Sequence, residues 1–173
     1  MTAFEIILWT CGYLVLLIAV IYFTRASGRR VGGAGAGGAA AGLYAMGAIA
    51  LSEKLGWWQI PFEPTAYFVP LFYAGLSITL MPIYLVTWRL ARRFGWRGFA
   101  VFMCIVGIIG PPRDYMYAAM FPNWMVFAPG VAPILADAAA YIGIVIMGHA
   151  VMRLIAGPAG DDGLTRGPHN PVR

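Results

Sequence analysis

Charged side chains are scarce in this sequence: 11% of its 173 residues are Asp, Glu, Lys or Arg, where an ordinary soluble domain carries about 25%. A chain so poor in charge cannot clothe a folded unit in polar surface, which excludes an ordinary water-soluble globule. Histidine and cysteine are also sparse, at two each. Cys11 and Cys104 fall in apolar runs without a CxxC pair or other ligand spacing, and both are expected to be small core residues. His149 precedes Arg153 by one turn and His169 stands alone in a polar tail. Neither has a second His, Cys or clustered carboxylate nearby, so no metal site is expected. A packing or helix-end role suits His149.

Catalytic signatures are missing as well. The chain has no Walker loop, no GxGxxG after a strand, no GxSxG and no HExxH, which disfavours nucleotide-driven and redox chemistry and implies no cofactor. Its pI near 9.5 comes without any RNA-binding or DNA-binding motif, so nucleic acid is not an expected partner. The first five residues contain Glu5 and no base, unlike a cleavable signal peptide. Phe62-Glu63-Pro64 is a single-carboxylate segment lacking the doubled acidic motifs of membrane carotenoid-modifying enzymes, and no residue role is carried over from them.

Apolar residues are abundant instead, at 61% of the chain with a mean hydropathy of +0.75. They fall in runs near bilayer length: residues 4–24, 31–51, 66–88, 99–110 with an extension, and 131–155. The expected fold is therefore all-α, a polytopic membrane helix bundle of about five transmembrane helices spanning residues 1–156. Residues 157–173, polar and rich in Gly and Pro, are expected to form a disordered cytoplasmic tail. The second run opens on a Gly-rich stretch that reads equally as a flexible linker, but charge decides for a crossing. Five crossings gather Arg25, Arg29, Arg30, Arg89, Arg92, Arg93, Arg97, Arg153, Arg166 and Arg173 on one side, leaving Lys54 and Arg113 on the other. The positive-inside rule then places the N-terminus outside and the C-terminus in the cytoplasm. A multi-pass protein of the cell membrane, such as the bacterial inner membrane, is the expected setting.

Three groups of residues stand out. Gly33, Gly37, Gly38 and Gly42 form overlapping GxxxG spacings whose missing side chains let helix backbones approach, within the bundle or between protomers. Arg89, Arg92, Arg93 and Arg97 alternate with Trp88, Phe94 and Trp96 in a basic loop suited to lipid headgroups. Pro111 and Pro112 are expected to kink or end the fourth helix, turning residues 113–124 into an interfacial or re-entrant segment before the fifth. Arg113 and Asp114 then share a depth with Asp137, which lies about 9 Å inside the fifth run. An intramembrane acid needs a partner. Arg113 is the nearest cation for Asp137, and Tyr141, at i+4, can donate a hydrogen bond to it.

Arg113, Asp114, Asp137, Tyr141 and Glu63 are the candidate ligand-binding residues, with Asp137 and Asp114 as candidate acid or base. Glu53 and Lys54 border the same outer region. The alternative for Arg113 and Asp137 is an ion pair that only fixes helix packing. Function follows from these choices. A non-catalytic subunit, scaffold or assembly factor of a membrane complex comes first. A cofactor-independent enzyme or binding protein for a lipid or isoprenoid comes second, and a small oligomeric permease third, weakened by the lack of an internal repeat. Membrane lipids, a membrane-protein partner or further copies of the chain are the expected partners.

Overall fold

The computed structural model describes residues 1–61 and 65–158. Glu63, together with residues 159–173 of the expected tail, lies outside the described residues. The chain is all-helical apart from two short strands, in the order α1 (Ala3–Thr24), α2 (Gly28–Lys54), β1 (Trp58–Gln59), α3 (Phe68–Met120), β2 (Val126–Phe127) and α4 (Val131–Ala156). All four helices are long and apolar enough to cross a membrane.

Local chemistry starts and stops these helices. Thr2 caps α1 through a reciprocal box: its hydroxyl accepts the Glu5 N–H at 3.3 Å, and the Glu5 carboxylate accepts the Thr2 N–H at 2.6 Å. Arg25, in left-handed backbone at φ 49, ends α1. The turn leads directly into α2 through Ser27.

Helix α2 is continuous, although each interior Gly costs about 1 kcal/mol relative to Ala. Close packing offsets that loss. A Cβ at Gly37 would lie 2.5 Å from the Gly148 carbonyl oxygen on α4, one at Gly33 would lie 3.2 Å from the Met152 carbonyl, and one at Gly38 would strike the Ser77 carbonyl of α3. At Gly42 the neighbour is the Ser77 hydroxyl, 2.7 Å away. The four glycines thus bed α2 between α3 and α4. Tyr73 and Tyr84 of α3 lock the arrangement by donating to the Ala39 and Ile144 carbonyls at 3.1 and 3.0 Å.

Helix α3 reverses direction. Straight, its 53 residues would span about 80 Å at 1.5 Å per residue, yet the segments flanking it are hydrogen-bonded to each other. Trp58 pairs with Phe127 and Gln59 with Val126 in an antiparallel ladder, and the Ala128 N–H donates to the Trp57 carbonyl at 2.8 Å. Both ends of α3 therefore lie at the same end of the bundle. The turn is at Gly95, whose φ of 62° and ψ of −154° are non-helical. The apolar runs 66–88 and 99–110 belong to its two arms, residues 68–94 and 96–120.

The structure corrects several expectations here. The basic segment 88–97 is helical except at Gly95, because none of its other residues opposes a helix. Pro111 and Pro112 do not end their helix, which runs on to Met120. The restriction that proline places on its predecessor acts partly through a Cβ, and Gly110 has none. Residues 113–120 therefore continue the helix, and the connection to α4 is residues 121–130. Cys11 and Cys104 are exposed rather than core, since a thiol at an apolar surface behaves as a small hydrophobe.

Two apolar clusters fill the bundle. Leu17, Leu80, Tyr84, Leu85, Trp88 and Met152 occupy the half nearer Gly95, while Ile6, Ile60, Phe68 and Phe72 lie toward the β1–β2 end. Helix α1 packs mainly on α3 and leaves Phe4, Leu8, Val15, Ile18 and Phe23 outward.

Candidate functional site

The second arm of α3 and the first turns of α4 bring the polar residues together. Asp114 is buried. Its Oδ1 accepts from Nε and Nη2 of the adjacent Arg113 at 3.0 and 2.8 Å, and its Oδ2 accepts from the Tyr141 hydroxyl at 2.6 Å. Arg113 also donates to the Tyr141 hydroxyl. The ring of Tyr141 lies against the backbone at Gly110, where a Cβ would come within 2.6 Å of its Cε2. The Arg113 guanidinium stands 5.2 Å over the Tyr141 ring and 5.8 Å over that of Tyr117. Within this trio the Arg113 and Asp114 charges oppose each other, and both Asp114 oxygens accept hydrogen bonds.

Asp137 stands apart. It is 6% exposed, and its Oδ2 is buried without a hydrogen-bond partner. The expected Arg113–Asp137 pair is not formed among the described residues. Asp114 takes the guanidinium instead, because both groups leave the same stretch of helix and need no approach between helices. Tyr141 likewise donates to Asp114 rather than to Asp137. Although Asp137 and Tyr141 share a face of α4, the longer phenol reaches across to α3.

A cavity of about 440 Å³ opens beside these residues. Every helix contributes to its wall: Trp9 and Tyr13 from α1, Ala45 and Ala48 from α2, Phe72, Thr79, Arg113, Asp114 and Tyr117 from α3, and Asp137 and Tyr141 from α4. Trp58, Phe121 and Trp124 border it from the connections. The lining is largely apolar and aromatic, with the polar groups gathered on the α3–α4 side. A second, shallower groove of about 310 Å³ follows α1 along Glu5, Leu8, Gly12 and Leu16, and shares Trp9, Tyr13 and Trp124 with the cavity.

Other sequence candidates lie elsewhere. The Glu53 carboxylate accepts the Ile60 N–H at 3.3 Å, and Lys54 is exposed. His149 is buried in the opposite half, 3.1 Å from the Thr87 hydroxyl and with its ring centroid 4.4 Å from that of Phe99. Arg89 donates to the Phe23 and Thr24 carbonyls at 3.4 and 3.3 Å. Arg92 and Arg93 stand 5.8 Å over Trp88 and 5.3 Å over Phe94, and Arg97 is exposed. Arg30, which the sequence marked only as a topology residue, is buried with its guanidinium 4.1 Å over Trp88.

Sequence reasoning also missed the aromatic wall. Trp9 and Tyr13, four residues apart, share one helix face, a spacing that identifies them as neighbours without revealing the cavity behind them. Among the described residues no group of three or more His, Cys, Asp or Glu side chains is placed to hold a metal ion. No protein-family model, curated protein or solved structure matches the chain.

Proposed function

We propose that this chain is a membrane protein of five crossings that binds a lipophilic molecule carrying a polar end. The observation behind this reading is the 440 Å³ cavity walled by all four helices, apolar over most of its surface and polar on one side. Ligand pockets commonly measure about 300–1,000 Å³ and combine an apolar lining with a few fixed polar groups. In this one the Arg113–Asp114–Tyr141 trio and Asp137 orient the polar end, and the aromatic wall receives the apolar body.

The reversal of α3 at Gly95 supplies the fifth crossing. Arg25, Arg29, Arg30, Arg89, Arg92, Arg93, Arg97 and Arg153 cluster toward the Gly95 end, which supports a cytoplasmic location for that end in a cell membrane. The cavity then faces the outer half. Arg89, Arg92, Arg93 and Arg97, with Trp88 and Trp96, meet anionic lipid at the cytoplasmic surface. Tyr84, Leu85, Trp88 and Met152 fill the half beyond the cavity, which favours a closed site over a continuous permeation path. Binding requires no chemistry at Asp137 or Asp114, so this reading also suits a non-catalytic subunit, with the outward face of α1 available to a membrane partner.

Native mass spectrometry of gently extracted protein tests the proposal. The expected spectrum shows a retained lipophilic adduct that disappears in Ala48→Trp, where the indole fills the cavity from α2. An adduct-free wild type, or an adduct indifferent to Ala48→Trp, would overturn it.

A further inference from the structure

Among the described residues the cavity wall carries three charged side chains, Arg113, Asp114 and Asp137, together with the Met1 ammonium, which donates to the Pro61 and Asn123 carbonyls at 3.1 and 2.5 Å and not to Asp137. Arg113 and Asp114 neutralise each other within 2.8 Å, and Tyr141 completes their hydrogen bonding. Asp137 remains, with Oδ2 buried and unpartnered beside the cavity. An ionised carboxylate in apolar surroundings is unfavourable until an opposite charge or a donor reaches it. The same cavity is lined by Trp9, Tyr13, Trp58, Phe72, Phe121 and Trp124, and aromatic rings attract cations more strongly once water is excluded. The groove along α1 also holds a carboxylate, that of Glu5, although this one is bonded to Thr2 in the α1 cap, and it shares Trp9, Tyr13 and Trp124 with the cavity.

We infer that the cavity binds a lipophilic amine: an apolar body bearing a protonated nitrogen that donates to Asp137. The inference rests on the binding reading above and narrows it to one ligand class. The apolar body of such a ligand lies against the aromatic lining, and its ammonium sits beside Asp137. Arg113 does not repel it strongly, because the Asp114 carboxylate cancels the guanidinium at contact distance. A neutral alcohol of the same length can donate to Asp137 but brings no opposite charge, so it compensates the carboxylate less than an ammonium does, and an acidic lipid adds a second negative charge beside it.

The test compares n-dodecylamine with n-dodecanol, each added to wild type, Asp137→Asn, Asp137→Glu and Ala48→Trp in lipid nanodiscs, with retention read by native mass spectrometry and thermal stabilisation. The expected result is retention of the amine in preference to the alcohol by wild type. Asp137→Asn should weaken amine binding about tenfold or more, Asp137→Glu should restore part of it, and Ala48→Trp should abolish it. Equal binding of both probes, indifferent to Asp137→Asn but blocked by Ala48→Trp, would overturn the amine assignment and leave the lipophile-binding reading standing. Failure of wild type to retain the amine would overturn the assignment as well, and the co-purification experiment then decides the broader reading separately. Asn at position 137 keeps the shape of the side chain. Should it nevertheless unfold the protein, the Asp137→Glu and Ala48→Trp arms still decide, since amine retention unaffected by both would refute the site.

Discussion

At the scale of single residues, the two acids of the cavity differ in what surrounds them. Asp114 is bonded on both oxygens, whereas Asp137 keeps one oxygen without a partner. Arg113→Gln should therefore destabilise the protein by about 1–3 kcal/mol by removing the charge that compensates a buried carboxylate. A double-mutant cycle in detergent unfolding should show Arg113→Gln and Asp114→Asn costing less together than the sum of the two singles, with a smaller coupling between Arg113→Gln and Asp137→Asn. The reverse order of couplings would contradict the observed pairing. Tyr141→Phe should cost about 1–3 kcal/mol, because it keeps the ring against Gly110 and removes the hydroxyl that donates to Asp114 and accepts from Arg113. The sequence made the shared depth of Arg113, Asp114, Asp137 and Tyr141 legible, since helical rise converts position into depth. It did not reveal who bonds whom. Consecutive residues on a helix do not normally face each other, and only the reach of the guanidinium lets Arg113 curl back onto Asp114.

At the scale of elements, α2 and α3 carry the most information. That the Gly-rich run forms a long helix is expected from the distribution of arginines, even though its glycines alone favour a linker, and α2 is continuous over Gly28–Lys54. The fit of those glycines depends on Gly148 and Ser77, both far away in sequence, so the tightness of the contact was not readable from α2 itself. Gly37→Leu or Gly38→Leu should lower thermal stability sharply, by about 3 kcal/mol or more, because a side chain there displaces backbone rather than a mobile side chain. Unchanged melting would place α2 differently. Gly95→Ala should cost about 1–3 kcal/mol through its backbone conformation alone, which is essentially confined to glycine, since no atom stands near its missing Cβ. The continuity of α3 through Pro111 and Pro112 was hidden for a related reason. Proline is read as a stop, and the relief that Gly110 provides is a property of the pair.

At the scale of the whole molecule, the bundle has a basic end and an aromatic, cavity-bearing end. In a variant lacking Cys11 and Cys104, a cysteine at position 54 should label from outside and one at position 92 from the cytoplasm. Labelling of both from one side would refute the proposed topology. Length, composition and the spacing of apolar runs made the all-helical architecture legible. The cavity was not, because it is a volume left between helices and depends on how their side chains interlock.

The pairing of Trp57–Gln59 with Val126–Ala128 also has a kinetic consequence. These strands are separated by the whole of α3, so closing them joins segments more than sixty residues apart and depends on the reversal at Gly95 that returns the second arm of α3 to the first. During synthesis the second partner emerges only after both arms of α3 have been made. The clasp thus forms late, followed only by α4, and until it closes Trp58, Phe121 and Trp124 have no fixed place at the cavity rim. A nascent chain halted before Val126 would hold α1, α2 and α3 but lack both the clasp and the α4 side of the cavity.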